Sequence, residues 1–122
     1  MNTASLLERY YSRLKDPEAC ADLLAEDFTF VGGDMTKLEP VVGKEPYVAI
    51  LKRLSPRFAD VRIEQMFIDG NRAAVVARYG WTFPQAGLVP GSVAEFWTVK
   101  DDRLQALTIF FDTGTFDRLA KG

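Results

Sequence analysis

The chain has 122 residues, with 15 lysine and arginine residues against 17 aspartate and glutamate residues, one cysteine and no histidine. This length fits a single domain over residues 1–122. Without histidine the chain lacks the usual partner of a serine or cysteine nucleophile and the commonest transition-metal ligand, so acid–base chemistry must use carboxylates, tyrosine or lysine.

Composition also limits the expected partners and location. The basic residues are scattered, which predicts no nucleic-acid partner. No apolar run is long enough to cross a bilayer and the N-terminal residues lack a secretion signal, so we expect no membrane association and a cytoplasmic location.

The lone Cys20 lies in an apolar helical pattern that indicates a buried structural thiol. A few carboxylates without histidine do not specify a metal, and we expect neither a metal nor an organic cofactor.

The first half of the chain has the pattern of three helices and one short strand. Apolar side chains from Leu6 to Leu14 recur at helical spacing, and acid–proline pairs typical of helix starts occur at residues 16–17 and 45–46. The elements predicted there are a helix over about residues 4–15, a short helix from residue 17 to near residue 25, a strand over 28–31, an irregular segment over 34–43 and a helix over 45–54.

The second half has the pattern of four long strands. We predict strands over residues 61–68, 72–83, 92–100 and 104–111, joined by a turn at 69–71, a proline- and glycine-containing loop at 84–91 and a turn at 101–102. Helices followed by strands indicate an α+β fold in which a curved antiparallel meander packs its concave face against the helices. Large apolar side chains occupy both strand faces, so we expect a second subunit to cover the outer face.

This order of elements resembles the ketosteroid-isomerase-like and SnoaL-like proteins of the nuclear transport factor 2-like superfamily. The resemblance rests on Arg9-Tyr10, on the sequence LAEDFTF at residues 24–30, and on the stretch from AEFWTV at 94–99 to Asp112. It implies a cone-shaped half-barrel: a curved, mixed but mostly antiparallel sheet with about three N-terminal helices on its concave face. It further implies a cavity for a small apolar molecule and a homodimer formed through the outer sheet face.

The resemblance also suggests catalytic residues. Tyr10 and Glu95 fall where steroid isomerases place the pair that stabilises an oxyanion, and Asp112 matches an acid that SnoaL-like cyclases use for proton transfer. Gly32 occupies the position of the isomerase base, and the nearest carboxylates beyond it include Asp34. The dehydratase relatives need histidine and are excluded.

Other residues are candidates for binding a ligand. Arg78, in a predicted central strand, could neutralise a carboxylate or bind an anion, and with Asp112 it supplies part of the set used by epoxide-hydrolase relatives. The candidate aromatic walls of the cavity are Trp81, Phe96, Trp97 and Phe110.

Two functional hypotheses follow from these residues. In the first, the protein is a cofactor-free acid–base enzyme of the isomerase or cyclase type, acting on an apolar carbonyl compound through Glu95, Tyr10 and either Asp112 or Asp34. In the second, it is a non-catalytic ligand-binding or dimerisation module. Glu95 would then belong to an interface ion pair, Asp112 would cap the backbone that follows it, and Tyr10 would be a packing residue.

Overall fold

The computed structural model describes residues 2–121 as helices packed on a sheet. The elements are, in chain order, α1 (Thr3–Ser12), α2 (Pro17–Ala21), β1 (Leu24–Val31), β2 (Val41–Val42), α3 (Lys44–Leu54), a 3-10 turn (Ser55–Arg57), β3 (Phe58–Asp69), β4 (Arg72–Phe83), β5 (Gly87–Lys100), β6 (Arg103–Phe110) and α4 (Thr113–Ala120).

The sheet has six strands in the order β2-β1-β6-β5-β4-β3. Strand β1 runs parallel to β6, and every other neighbouring pair is antiparallel. The sheet is curved and does not close into a barrel. The predicted α+β fold with a mixed, mostly antiparallel sheet is therefore confirmed, as is the meander of the last four strands.

The helices begin where short polar side chains satisfy free backbone N–H groups. The Asn2 side chain accepts a hydrogen bond from the Ser5 amide at 2.8 Å, and Asp16 caps α2 with Pro17 at its first position. Helix α3 instead follows Gly43, whose φ of +110° suits glycine. The three predicted N-terminal helices are present, and α4 at the C-terminus is an additional helix that was not predicted.

Several predicted boundaries were wrong. Helix α2 ends at Ala21 rather than near residue 25, because β1 already begins at Leu24, which pairs with Leu104 of β6. The segment expected to be irregular contains β2, which pairs with β1. Strand β5 begins at Gly87 inside the predicted loop. Pro90 is tolerated there because this part of β5 pairs only with β4, so one side of the strand needs no N–H donor.

The core lies between the helices and the inner face of the sheet. Strand alternation puts Ala73, Val75, Ala77 and Tyr79 of β4 in this core, while the residues between them belong to the outer face. Cys20 is fully buried in the same cluster, and burial raises the pKa of its thiol to about 12, consistent with the structural role expected for it.

Candidate functional site

A cavity of about 90 Å³ lies between the helices and the inner face of the sheet. Among the described residues that line it, Glu95 is the only charged one. Half of the lining side chains are aromatic, and they come from helices and strands alike: Tyr10, Phe30, Tyr47, Phe58, Tyr79, Trp81, Phe111 and Phe116. The cavity is therefore a mostly apolar space with one ionisable carboxyl group at its wall.

Two tyrosines hold the Glu95 carboxyl group from different elements. Glu95 lies on the inner face of β5 and is 3% exposed. Tyr11 of α1 donates a hydrogen bond to Oε1 at 2.5 Å, and Tyr79 of β4 donates one to Oε2 at 2.6 Å. Trp97 donates its indole N–H to the Tyr11 hydroxyl at 3.0 Å. Each carboxyl oxygen is thus oriented by one phenolic donor.

The environment of Glu95 makes its proton labile near neutral pH. Burial raises the pKa of Glu95 to about 7, while the hydrogen bonds from Tyr11 and Tyr79 act in the opposite direction. Within residues 2–121, no lysine or arginine forms an ion pair with Glu95. Burial and the nearby carboxyl group raise the pKa of both tyrosines, so these remain protonated donors.

A second polar feature of the cavity is a pair of tyrosine hydroxyls. The Tyr10 and Tyr47 hydroxyl oxygens are 2.5 Å apart, and both residues line the cavity. Burial raises the pKa of each, so both hydroxyls keep their hydrogens. Since one hydrogen forms the bond between them, the other hydrogen is free to be donated to a bound molecule.

The structure brings three of the predicted site residues to the cavity wall, namely Glu95, Tyr10 and Trp81. Trp97 is buried behind this wall, with its ring 4.7 Å from that of Tyr10 in an edge-on contact. It supports Tyr10 and Tyr11 and is not itself a lining residue.

Three other predicted binding residues lie on the outer face of the sheet. Phe96 and Phe110 are 47% and 51% exposed, and their rings form an edge-on pair at 5.9 Å. Arg78 lies opposite Ser92 of β5 on the same face. Because side chains alternate between the two sheet faces, none of these three residues lines the cavity, contrary to the prediction that the two phenylalanines form its aromatic walls.

The two remaining predicted carboxylates also lie outside the cavity. Asp112 caps α4: its side chain accepts hydrogen bonds from the Thr115 amide at 3.0 Å and hydroxyl at 2.7 Å, and these bonds lower its pKa. Asp34 accepts similar bonds from Thr36 in a surface loop, with the same effect on its pKa. Asp112 therefore has the alternative capping role, and neither carboxylate shares a pocket with Glu95.

Sequence reasoning missed Tyr11, Tyr79 and Tyr47 as partners at the site. Tyr11 follows Tyr10 on the same helix, and the two neighbours have different partners because successive helix positions point about 100° apart. The alternation of side chains around Tyr79 indicates which face of β4 is the inner one. Which of its residues meets Glu95 depended on the strand register, which the sequence does not contain.

Residues 2–121 contain neither a metal-binding cluster nor a membrane-spanning helix. Within residues 2–121, no three or more cysteine, aspartate or glutamate side chains are grouped so as to hold a metal ion. Over the same residues, no helix is long and apolar enough to cross a membrane.

An open, curved sheet covered by helices around a small cavity defines the NTF2-like class of folds. The chain belongs to the SnoaL-like domain family, whose sequence profile matches residues 7–107. The resemblance inferred from the sequence is therefore confirmed. No protein of curated function matches the sequence significantly.

Solved structures agree on the fold. An NTF2-like protein of unknown function from Cytophaga hutchinsonii is 18% identical, with a TM-score of 0.77 and 96% of each chain covered. TerC, co-crystallised with polyporic acid, is 17% identical, with a TM-score of 0.80 and 98% of each chain covered. A ketosteroid isomerase-like protein from Catenulispora acidiphila in complex with trimethylamine is 14% identical, with a TM-score of 0.80, covering 98% of this chain and 94% of that one.

Proposed function

We propose that the protein binds a small apolar carbonyl compound in the cavity and that Glu95 exchanges a proton with it, as a cofactor-free enzyme of the isomerase or cyclase type. The observation that carries this proposal is a buried carboxyl group, free of any described ion pair, with a pKa of about 7 at the wall of an aromatic cavity. A general base works best when its pKa lies near the working pH.

The proposed reaction moves one proton and needs no oxidant or reductant. The Glu95 carboxylate takes a proton from the carbon next to the carbonyl group. The C–H bonding pair forms the double bond of an enolate, and the carbonyl π pair moves to oxygen. Protonated Glu95 then returns the proton to the same carbon or to a conjugated one, which regenerates the carboxylate. Tyr11 and Tyr79 support this cycle because they donate to the carboxylate without competing for its proton.

The Tyr10–Tyr47 pair supplies the donor for the developing enolate oxygen in this proposal. Its one free hydroxyl hydrogen can be donated to that oxygen, and the bond between the two hydroxyls polarises the donor. This assigns Tyr10 the role that the family resemblance implied, with Tyr47 as its partner. In this proposal Glu95 is the proton-transferring group. A carboxylate is therefore not needed at position 32, where the chain has Gly32 and the isomerases have their base.

A second candidate function is non-catalytic binding of a small organic cation. It is favoured by eight aromatic rings and one carboxyl group around a cavity whose described lining residues include no lysine or arginine. Ring faces attract alkylammonium groups, and Glu95 could neutralise the charge. The Catenulispora acidiphila structure, which contains trimethylamine, shares the fold.

Proton exchange separates the two functions. The first predicts that the protein catalyses deuterium incorporation at the carbons beside the carbonyl group of 2-butanone in heavy water, with a rate that rises with pH through about 7 as Glu95 ionises. Glu95→Gln should abolish this catalysis. Exchange equal to that of Glu95→Gln, together with binding of tetramethylammonium that strengthens through the same pH range, would instead support the second function.

We also propose that the protein acts as a homodimer through the outer face of its sheet, in the cytoplasm. This face carries exposed phenylalanines at positions 67, 96 and 110, and the first two of them line a groove of about 450 Å³. Contiguous exposed apolar surface of this kind is typical of an interface. A second copy would bury these side chains on a face remote from Glu95, leaving the cavity of each chain intact.

A further inference from the structure

A second space lies directly beyond the cavity. It is a cleft of about 210 Å³ between β5 and α4, and we call it the outer cleft. Trp81, Val93, Phe111 and Phe116 border both the cavity and the outer cleft. The two spaces are therefore adjacent, since these four residues contribute to the walls of both.

Of these four shared residues, Phe116 is the one that lies on a helix, α4. Its ring makes edge-on contacts with Trp81 at 5.2 Å, Phe83 at 5.5 Å and Phe111 at 5.7 Å. No residue of α4 is fully buried, so the helix is held by this aromatic cluster and by its Asp112 cap. Trp81 and Phe83 belong to β4, which pairs with a strand on each side, whereas the position of the Phe116 ring depends on α4.

We propose that Phe116 is the specificity-determining residue of the site: its ring ends the cavity and restricts the ligand to compact molecules, excluding those with a linear tail. This rests on the proposed function only in taking the cavity as the ligand site. Cavity and cleft together reach about 300 Å³, the lower end of the roughly 300–1,000 Å³ range of drug-sized sites. Without the ring, an apolar tail could extend from the cavity along the cleft.

The lining of the outer cleft indicates which tail it would accept. Val89, Pro90 and Leu119 present apolar surface, and among the described lining residues Asp112 is the only charged group. A neutral alkyl tail would therefore be accepted, whereas an anionic end would meet the Asp112 carboxylate, whose lowered pKa keeps it ionised.

The test is a series of methyl ketones from 2-butanone to 2-decanone, with binding followed by the fluorescence of Trp81 and Trp97. In the unchanged protein, affinity should stop rising once the cavity is filled. In Phe116→Ala it should continue to rise, by up to about fourfold for each further methylene group buried. The preference for 2-decanone over 2-butanone should therefore increase at least about tenfold. Equal dependence on chain length in both proteins would overturn the proposal.

Two control variants distinguish the removal of the Phe116 ring from a general loss of packing around it. Phe83→Ala widens the outer cleft without enlarging the cavity, because Phe83 lines the cleft and not the cavity, so this variant should keep the wild-type limit on chain length. Phe116→Leu retains a bulky wall and should also keep it. Loss of the limit in either variant would mean that destabilised packing, rather than the absence of the Phe116 ring, admits long ligands.

Binding of a methyl ketone with an anionic end provides a second measurement. In Phe116→Ala, 9-oxodecanoate should bind at least about tenfold more weakly than 2-decanone, and adding Asp112→Asn should reduce this difference. An unchanged difference would place the tail outside the cleft and contradict the proposal. The limit on chain length should persist with Glu95→Gln, because walls set it. A protein that shows the length limit but no proton exchange would therefore contradict only the proposed function. A protein that exchanges protons but shows no length limit would contradict only this inference.

Discussion

Tyr79 donates a hydrogen bond to Glu95 at 2.6 Å from the neighbouring strand, although the residue directly opposite Glu95 is Val75. The long phenol reaches diagonally along the inner face of the sheet from four residues further along β4. Tyr11 reaches the other carboxyl oxygen from α1. The carboxyl group that faces the cavity is thus held by one strand and one helix, and its proton affinity depends on both.

We expect Glu95→Gln to flatten the dependence of stability on pH. The folded-state pKa of Glu95, about 7, lies above its ordinary value of 4.5, so the folded protein binds the proton more tightly than the unfolded chain. As the pH rises from about 4.5 to about 7, Glu95 therefore lowers the free energy of unfolding by about 3 kcal/mol in all. Below pH 4.5 it has no such effect, because Glu95 is then protonated in both states. Denaturant unfolding from about pH 4 to about pH 8 should show this loss in the wild type and not in the variant. Parallel curves for the two proteins would contradict it.

Tyr79→Phe is expected to raise the pKa of Glu95 further. The variant removes a hydrogen bond that lowers this pKa, and it leaves a buried carboxylate short of a donor, at a cost of about 1–3 kcal/mol above neutral pH. Carbon-13 NMR of the labelled glutamate carboxyl groups would follow the titration. Tyr11→Phe should act in the same direction.

Tyr47→Phe is the matched control for this experiment, because Tyr47 bonds to Tyr10 and not to Glu95. Its effect on the pKa of Glu95 should be smaller than that of either tyrosine that donates to the carboxyl group. An equal effect of all three variants would show that burial alone sets the titration.

Substitutions of Asp112 should separate capping from catalysis. Asparagine retains an oxygen that can accept from the Thr115 amide, so Asp112→Asn should leave hydrogen exchange in α4 nearly unchanged. Alanine retains no acceptor, so Asp112→Ala should make the first-turn amides of α4 exchange several-fold faster. If Asp112→Asn instead abolished ketone proton exchange with α4 intact, Asp112 would be an acid–base residue and the capping assignment insufficient.

Phe96→Glu should dissociate the proposed dimer. Phe96 is half exposed on the outer face beside Phe110, so in a symmetric interface the new carboxylate would be buried without a partner. Sedimentation velocity should give twice the chain mass for the wild type and the single-chain mass for the variant. Met35→Glu, at a loop residue that is 84% exposed, is the control and should remain dimeric. A wild type that sediments as one chain would exclude the dimer.

The sequence by itself determined the fold class and the family, and it indicated Glu95 as a candidate site residue. Helical spacing in the first half, long alternating strands in the second and the acid–proline helix starts are local properties, and local patterns persist in the fold. Because the chain has no histidine, its acid–base chemistry is restricted to carboxylates, tyrosines and lysines. The apolar face of β5 then indicated that the Glu95 carboxyl group would be buried and would tend to keep its proton.

Only the tertiary structure decided which candidates meet. Tyr11 and Glu95 are 84 residues apart, and Tyr79 reaches Glu95 only because β4 and β5 pair in one particular register. Asp112 satisfied the sequence pattern of a catalytic acid, yet the start of α4 turns it toward its own backbone. Phe96 and Trp97 are neighbours in sequence and lie on opposite faces of the sheet. A hydrogen bond or a cavity wall depends on positions within an ångström, and packing between distant segments sets those positions.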